Sequence, residues 1–312
     1  MITNPEISIV IPAYNEEGNI KVIISRLCEV LNSLGTFQII FLNDGSSDNT
    51  LEELKIAAQK DARIHYISFS KNFGHQAALK AGIDHATGNC IISMDADMQH
   101  PPSLIPEMIK FWKEGYDVVY TQRKEDKGIS VFKKLTSKYF YSLLQKMSDV
   151  PIEEGTADFR LLDKKVADII RQTNDPFLFI RGLVPWMGFR QKKIVYQPDE
   201  RYSGKTKYTF KKMAAFAING ITGFSIKPLR FATFLGVIIS FLSFIYGIYA
   251  IVIFFANAKV ISGWASLLTS VLFIGGIQLI ILGIIGEYIG KIYIQIKNRP
   301  FYIIKESSLE KQ

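Results

Sequence analysis

Asp95 and Asp97 lie one residue apart at the end of the apolar run Cys90 to Met94, and they are the side chains in this sequence best suited to gripping a divalent cation. Such a run reads as a buried strand. An Asp-x-Asp just past it projects both carboxylates into the crevice beyond the strand ends, where open α/β sheets bind ligands. Two hard oxygen donors suit Mg2+ or Mn2+, and either ion suits a diphosphate. Acidic pairs are also common in surface turns, so the triplet takes its meaning from its surroundings.

Two further polar loops follow apolar runs in the same way. Pro12-Ala13-Tyr14-Asn15-Glu16 comes after Ile7 to Ile11, and Asn43-Asp44-Gly45-Ser46-Ser47-Asp48 after Phe37 to Leu42. A tyrosine face and a carboxylate near a helix start can hold a nucleobase, with Asp44 accepting from a pyrimidine ring N–H. Each loop alone could be a cap or turn. Three of them on neighbouring strands converge on one edge of a sheet.

The elements that must position these loops are legible as a rhythm. Ile7 to Ile11, Phe37 to Leu42, Ile64 to Phe69, Asn89 to Met94 and Asp117 to Thr121 are short, apolar and β-rich, with amphipathic stretches between them. That alternation predicts a mainly parallel sheet covered by helices on both faces. Helix starts are marked at Asn15, at Ser47 or Asp48, and at Pro101-Pro102.

Towards the end of the chain the pattern changes. Between Phe231 and Gly290 the only charged residues are Lys259 and Glu287. Two apolar segments, about Phe231 to Ala256 and about Ala265 to Gly286, are each long enough to cross roughly 30 Å of hydrocarbon. The short connector between them predicts a helical hairpin. Lys211, Lys212, Lys227 and Arg230 precede it and Lys291, Lys297 and Arg299 follow it, against Lys259 in the turn, so the positive-inside bias puts both ends in the cytoplasm. Thr209 to Phe224 alternates lysines with Met213, Phe216, Ile218 and Ile221, the pattern of an amphipathic helix lying on the bilayer. Gly286 and Gly290 have the spacing that permits close helix approach and a homo-oligomer.

Composition limits the class. At 312 residues with a net charge of +8, the chain suits an anionic leaflet or anionic substrates. Its basic residues cluster at Arg201 to Lys212 beside the apolar segments, with no recognition helix or stacking platform, so nucleic acid is not expected as a partner. Met1 to Pro5 has no basic start, and no secretory signal is read there. Cys28 and Cys90, both in apolar contexts, read as reduced core thiols.

The order of motifs resembles a known family. Pro12-Ala13-Tyr14-Asn15-Glu16, Asp44-Gly45-Ser46, Lys71-Asn72-Phe73-Gly74, Asp95 to Pro102, Thr156-Ala157-Asp158-Phe159-Arg160-Leu161-Leu162 and Arg201-Tyr202-Ser203-Gly204-Lys205-Thr206-Lys207-Tyr208, followed by a two-helix hairpin, resemble the family 2 glycosyltransferases of GT-A fold. Within that family they resemble specifically the polyisoprenyl-phosphate glycosyltransferases, the group of dolichol-phosphate mannose synthase and the bactoprenol glucosyltransferases. The resemblance implies a cytoplasmic GT-A catalytic domain over 1–205, an interfacial helix over 206–228, a transmembrane hairpin over 229–292 and a cytoplasmic tail over 293–312.

It also implies a reaction, the transfer of a sugar from a UDP-sugar to undecaprenyl phosphate with inversion, at the inner face of the cell membrane. On the resemblance, Pro12, Tyr14, Glu16 and Asp44 bind the nucleoside, and Asp95, Asp97 and Gln99 position Mg2+ or Mn2+ on the diphosphate. Arg123, Arg201 and Lys207 embrace the phosphates, with Arg160 beside them, and Asp97, Arg201 and Asp158 carry the chemistry. Asp158 is either a base or an organiser of Arg160 or the metal shell. An acceptor phosphate with a second pKa near ~6 is already largely dianionic and hardly needs a base.

Asn43 stands where relatives often carry a second aspartate, which leaves nucleoside binding to Asp44. Lys127 cannot fork onto two oxygens as an arginine does. His75 and His100 read as hydrogen-bonded structural residues. Glucose is the first choice of sugar, and N-acetylglucosamine, mannose or an aminoarabinose the alternatives. A processive synthase would carry more spans and a Gln-x-x-Arg-Trp block, and a non-enzymatic membrane scaffold would not need the acidic pair and basic clamp.

Overall fold

The structure is a computed structural model that describes residues 5–124, 155–175, 178–197, 225–255 and 263–309. Its centre is a set of four parallel strands, β1 (Ile7–Ala13), β2 (Phe37–Asn43), β3 (Ile64–Phe69) and β4 (Cys90–Ser93), in the order β4-β1-β2-β3. β1 and β2 are buried along their whole length, which is why they read as continuous apolar runs rather than alternating ones. Cys90 is sealed in the core as a free thiol and Cys28 is a half-buried one.

The sheet is extended on both sides. β5 (Val118–Arg123), β6 (Thr156–Asp163) and β7 (Gln191–Tyr196) follow β4 in the order β7-β5-β6-β4, with β6 antiparallel to both its neighbours. On the far edge β8 (Ile304–Ser307) runs antiparallel to β3. The segment 293–312, read from the sequence as a tail, thus supplies the eighth strand of the sheet.

Helices cover both faces. α1 (Glu17–Leu31) turns Ile20, Ile23, Leu27 and Leu31, spaced three or four apart, onto Ile7, Ile9 and Ile11 of β1. α2 (Thr50–Lys60) and α4 (Ile105–Lys113) send Leu54, Ile105, Met108 and Ile109 into the same layer. The opposite layer gathers α3 (His75–His85), α5 (Lys164–Gln172) and α6 (Ile180–Trp186) around Val10, Ile40 and Leu42. α3 lies close to β1 because of Gly82, where a Cβ would fall 2.0 Å from Val10 Cγ1.

α7 (Lys227–Phe255) and α8 (Trp264–Ile296) are different in kind. Their spans Lys227–Tyr249 and Thr269–Ile296 have mean hydropathy 2.1 and 2.2, yet only 6% and 0% of their most apolar windows is buried. Phe234, Phe241, Phe244, Leu279 and Leu282 face outward. Two helices this long and apolar with their side chains outside mark a membrane-associated protein. The Tyr288 hydroxyl donates to the Ser225 carbonyl at 2.6 Å, so the start of α7 meets the later part of α8 and the pair is antiparallel. α8 runs ten residues beyond the end read from the sequence, to Ile296. The amphipathic stretch Thr209 to Phe224 and most of the connector lie outside the described residues.

Candidate active site

β1 lies between β2 and β4, so the three polar loops read from the sequence leave adjacent strands at one edge of the sheet. The first two are stitched together. Asn15, in the left-handed region at φ 56°, receives the Ser47 N–H on its Oδ1 at 2.8 Å and gives its own N–H to Ser46 Oγ at 2.9 Å. Asn15 is therefore a cross-link and not a helix cap. Glu16 donates its N–H to Thr50 Oγ1 at 2.8 Å and accepts from Asn19 Nδ2 at 2.6 Å. Pro12 is buried beneath this loop, and the Tyr14 ring is 39% exposed above it.

Asp44 is buried, and its two carboxylate oxygens take the backbone N–H groups of Phe73 and Gly74 at 2.6 and 2.9 Å. Burial nevertheless raises its pKa, against the pull of those two donors. Each oxygen retains a second lone pair for an incoming N–H. Gly45 permits this closeness. Its φ is +67°, and a Cβ there would sit 2.5 Å from the Lys71 carbonyl carbon and 2.6 Å from the Asn72 nitrogen.

The third loop alternates. Asp95, Asp97 and Gln99 are half-buried on one side, while Ala96, Met98 and His100 are buried on the other. Asp97 Oδ1 accepts the Gln99 N–H at 3.1 Å, and Met98 takes the positive φ of 66° that the tight turn requires. His100, stacked on Phe159 at 5.2 Å, accepts the Asp95 N–H on Nδ1 at 2.9 Å. Complete burial pushes the His100 pKa down, with Asp95 opposing. Arg123, at the end of β5, donates to Gln99 Oε1 at 3.2 Å and lies 3.3 Å from His100 Nε2.

Asp158 projects from β6, next to β4, and is almost wholly enclosed. Arg181 of α6 forks onto it, Nε to Oδ1 and Nη2 to Oδ2, both at 2.8 Å. His75 Nε2 donates to Oδ2 at 3.0 Å, and Arg160 approaches Oδ1 at 3.5 Å. Although burial alone would raise it, the Arg181 charge and the His75 and Arg181 hydrogen bonds hold the Asp158 pKa well below the usual carboxylate range. His75 also lies 3.7 Å from Asp95 Oδ1. Burial works to lower the His75 pKa, but its hydrogen bond to Asp158 and the Asp95 charge outweigh it and raise the value. Arg160, buried, bonds the Ile180 and Ala157 carbonyls, and desolvation lowers its pKa to about 10.

The fold therefore brings Asp95, Asp97, Gln99, Arg123, Asp158 and Arg160 to one crevice, with Pro12, Tyr14, Glu16 and Asp44 on the adjoining loops. Arg201 and Lys207 lie outside the described residues, as does Lys127. Sequence reasoning missed Arg181, whose one visible signal is a lone charge inside the apolar stretch Leu178 to Val184. His75, read as a hydrogen-bonded residue, is one, bonded to Asp158 and 3.7 Å from Asp95 Oδ1.

Among the described residues no group of three or more His, Cys, Asp or Glu is arranged to hold a metal. The donor set fits a Mg2+-like ion all the same. Such an ion takes one or two protein carboxylates and fills its remaining positions with water and substrate phosphate. Asp95 and Asp97, both partly open, supply that number.

An acidic pair on the carboxyl edge of a mainly parallel sheet, faced by guanidinium groups, defines an α/β enzyme of the kind that handles phosphate-bearing substrates. Comparison with known proteins makes the class specific. Residues 8–170 match the glycosyl transferase family 2 model and residues 227–292 the GtrB C-terminal hairpin model. The uncharacterized glycosyltransferase YkcC of Bacillus subtilis (strain 168) is 46% identical over 301 residues, 96% of this chain and 93% of its own. The uncharacterized glycosyltransferase sll0501 of Synechocystis sp. is 44% identical over 96% of this chain and 95% of its own. A prophage-derived bactoprenol glucosyl transferase of Shigella flexneri is 40% identical over 97% and 98%. The chain belongs to glycosyltransferase family 2.

Proposed function

We propose that the protein transfers glucose from UDP-glucose to undecaprenyl phosphate, with inversion, at the cytoplasmic face of the cell membrane. The observation that carries this reading is the union of an acidic, arginine-faced crevice with two lipid-length helices in one folded unit, the second helix returning into the catalytic sheet as β8. A soluble sugar donor and a lipid-borne acceptor both need such a unit. The relatives named bactoprenol glucosyl transferase support the same sugar and lipid, and they align through the hairpin as well as the sheet.

In this reading Tyr14 offers its exposed ring to the base, Asp44 a lone pair to a ring N–H, and Pro12 and Glu16 shape the nucleoside loop. Asp95 and Asp97, with Gln99, hold Mg2+ or Mn2+, which supplies positive charge to the leaving diphosphate. Arg123 stands beside Gln99 on the phosphate side, and Arg201 and Lys207 approach from the basic block before the membrane helices. Asp158 works as an organiser. A carboxylate capped by a forked arginine and a histidine has no driving force to take a proton at neutral pH.

Lys227, Arg230, Lys291, Lys297 and Arg299 flank the hairpin and keep both its ends in the cytoplasm. Gly286 and Gly290, where an added Cβ would meet nothing within 4 Å, leave room for a second copy to pack closely as a homo-oligomer. Reconstitution of the purified protein with UDP-sugars tests the function. UDP release that depends on undecaprenyl phosphate, with a hexosyl lipid detected by mass spectrometry, is the expected result. Equal release without lipid, or preferential use of UDP-N-acetylglucosamine, would overturn the reaction or the sugar respectively.

A further inference from the structure

Asp158 is the carboxylate that the sequence offers as a base, yet its side chain is only 3% exposed. What faces outward around it is the guanidinium of Arg181, whose side chain is 31% exposed, and the ring of His75, at 41%. Both are anchored on the same buried carboxylate, at 2.8 and 3.0 Å, and His75 lies 3.7 Å from Asp95 Oδ1. An incoming group at this point meets the Arg181 guanidinium and the His75 ring, and no open oxygen of Asp158. That surface suits a phosphate monoester, which arrives as an anion and carries its own nucleophilic oxygen. It does not suit a sugar hydroxyl, which would have to lose a proton there.

We propose that Arg181 and His75, set by Asp158, form the subsite for the acceptor's phosphate. The proposal rests on the glucosyl-transfer reading and gives its acceptor a place. The same two side chains could instead serve the donor's diphosphate, since the ligand chemistry is shared, and a kinetic split separates the two sources. Full-length protein is reconstituted in phosphatidylglycerol vesicles containing undecaprenyl phosphate. Initial rates are then recorded against lipid at saturating UDP-glucose and against UDP-glucose at saturating lipid.

Arg181→Gln is expected to raise the acceptor KM by about tenfold or more while the donor KM moves less than about twofold. His75→Gln, which keeps an N–H for Asp158, is expected to give a smaller rise of the same kind. Arg181→Lys restores charge without the fork and should recover acceptor affinity only in part. Should Arg181→Gln fold poorly, Arg181→Lys, which keeps a charge beside Asp158, must show the same split on a smaller scale. An acceptor KM unchanged in these variants, or a donor KM rising in step with it, overturns the subsite while leaving the function standing. Wild-type protein that yields no lipid product removes the function and the subsite with it.

Discussion

Deleting the Asp158 carboxylate leaves Arg160 and Arg181 facing each other without the anion between them, and Arg160 has no water to turn to. Breaking a buried charge pair from one side costs about 3–5 kcal/mol. Asp158→Asn should therefore lower the thermal midpoint markedly and abolish turnover, while donor binding survives. Asp158→Asn/Arg181→Gln should lose less stability than the two single variants summed, which a double-mutant cycle in thermal melts reads directly. The pH dependence follows from the direction of the shift. The folded pKa of Asp158 lies below the unfolded one, so its contribution is complete above roughly pH 4 and fades as the pH falls from there through the folded value. The difference in midpoint between wild type and Asp158→Asn should shrink in that acid window, and it should also decline above about pH 6.5 as His75, whose pKa Asp158 raises, loses its proton. A difference constant down to about pH 2 would mean that the carboxylate is not held by its cations. Asp158 itself was visible in the sequence because it sits in an ordered motif. Arg160 was visible beside it in that motif, but Arg181 was not, because it comes from a short helix on a separate stretch of chain and nothing in local spacing pairs the two.

The loops at the sheet edge depend on close backbone approach, and Gly45 tests this at the scale of the element. In Gly45→Ala a methyl group must displace the Lys71–Asn72 backbone, which loosens the Phe73 and Gly74 N–H groups from Asp44. A loss of about 1–3 kcal/mol is expected, with a higher KM for the sugar nucleotide and little change in that for lipid. Equal stability and an unchanged donor KM would show the loop to be more tolerant than its geometry says. β1 to β5 and the loops after β1, β2 and β4 were legible because strands buried on both faces leave continuous apolar runs. β6 was legible only as a motif, since it buries Asp158 and Arg160 where periodicity expects apolar side chains. β8 was not legible at all. Four half-exposed residues become a strand only by pairing with β3, and the Tyr66 N–H finds its Ser308 Oγ partner 242 positions along the chain. Tyr302 shows what that pairing secures, with its ring stacked on Phe69 at 5.2 Å and its hydroxyl bonded to Asp84 Oδ2 at 3.0 Å. Tyr302→Ala should cost about 3–5 kcal/mol and Tyr302→Phe about 1 kcal/mol, measured by denaturant unfolding in the same detergent.

On the scale of the whole molecule the membrane hairpin is an insertion in the catalytic sheet and not an appendage to it. The chain leaves at Ser225, which Tyr288 holds, and returns through Asn298, bonded to Asn174 at 2.6 Å, into Phe301, Tyr302 and β8. The hairpin's second helix is thereby separated from a strand of the sheet by a few residues, which ties the height of the crevice above the bilayer to the sheet. A fragment cut before Ser225 loses the hairpin and also the cover of the β3 edge, which then presents unpaired backbone groups to other chains. A chain in which Lys227–Ile296 is replaced by a flexible glycine-serine linker keeps β8 while losing the same apolar surface. The ends are close enough for this. Ile296 lies eight residues past Tyr288, about 12 Å along the helix, and ten linker residues reach roughly 17 Å on average. The linker protein should run as a monodisperse, detergent-free species that binds UDP, whereas the truncated one should aggregate, and neither should turn over lipid acceptor efficiently. Size-exclusion chromatography without detergent and calorimetric UDP titration distinguish the two chains. If the truncated fragment proved as soluble and as competent for UDP as the linker protein, β8 would be a passenger on the sheet and the helices would be free to move relative to the crevice.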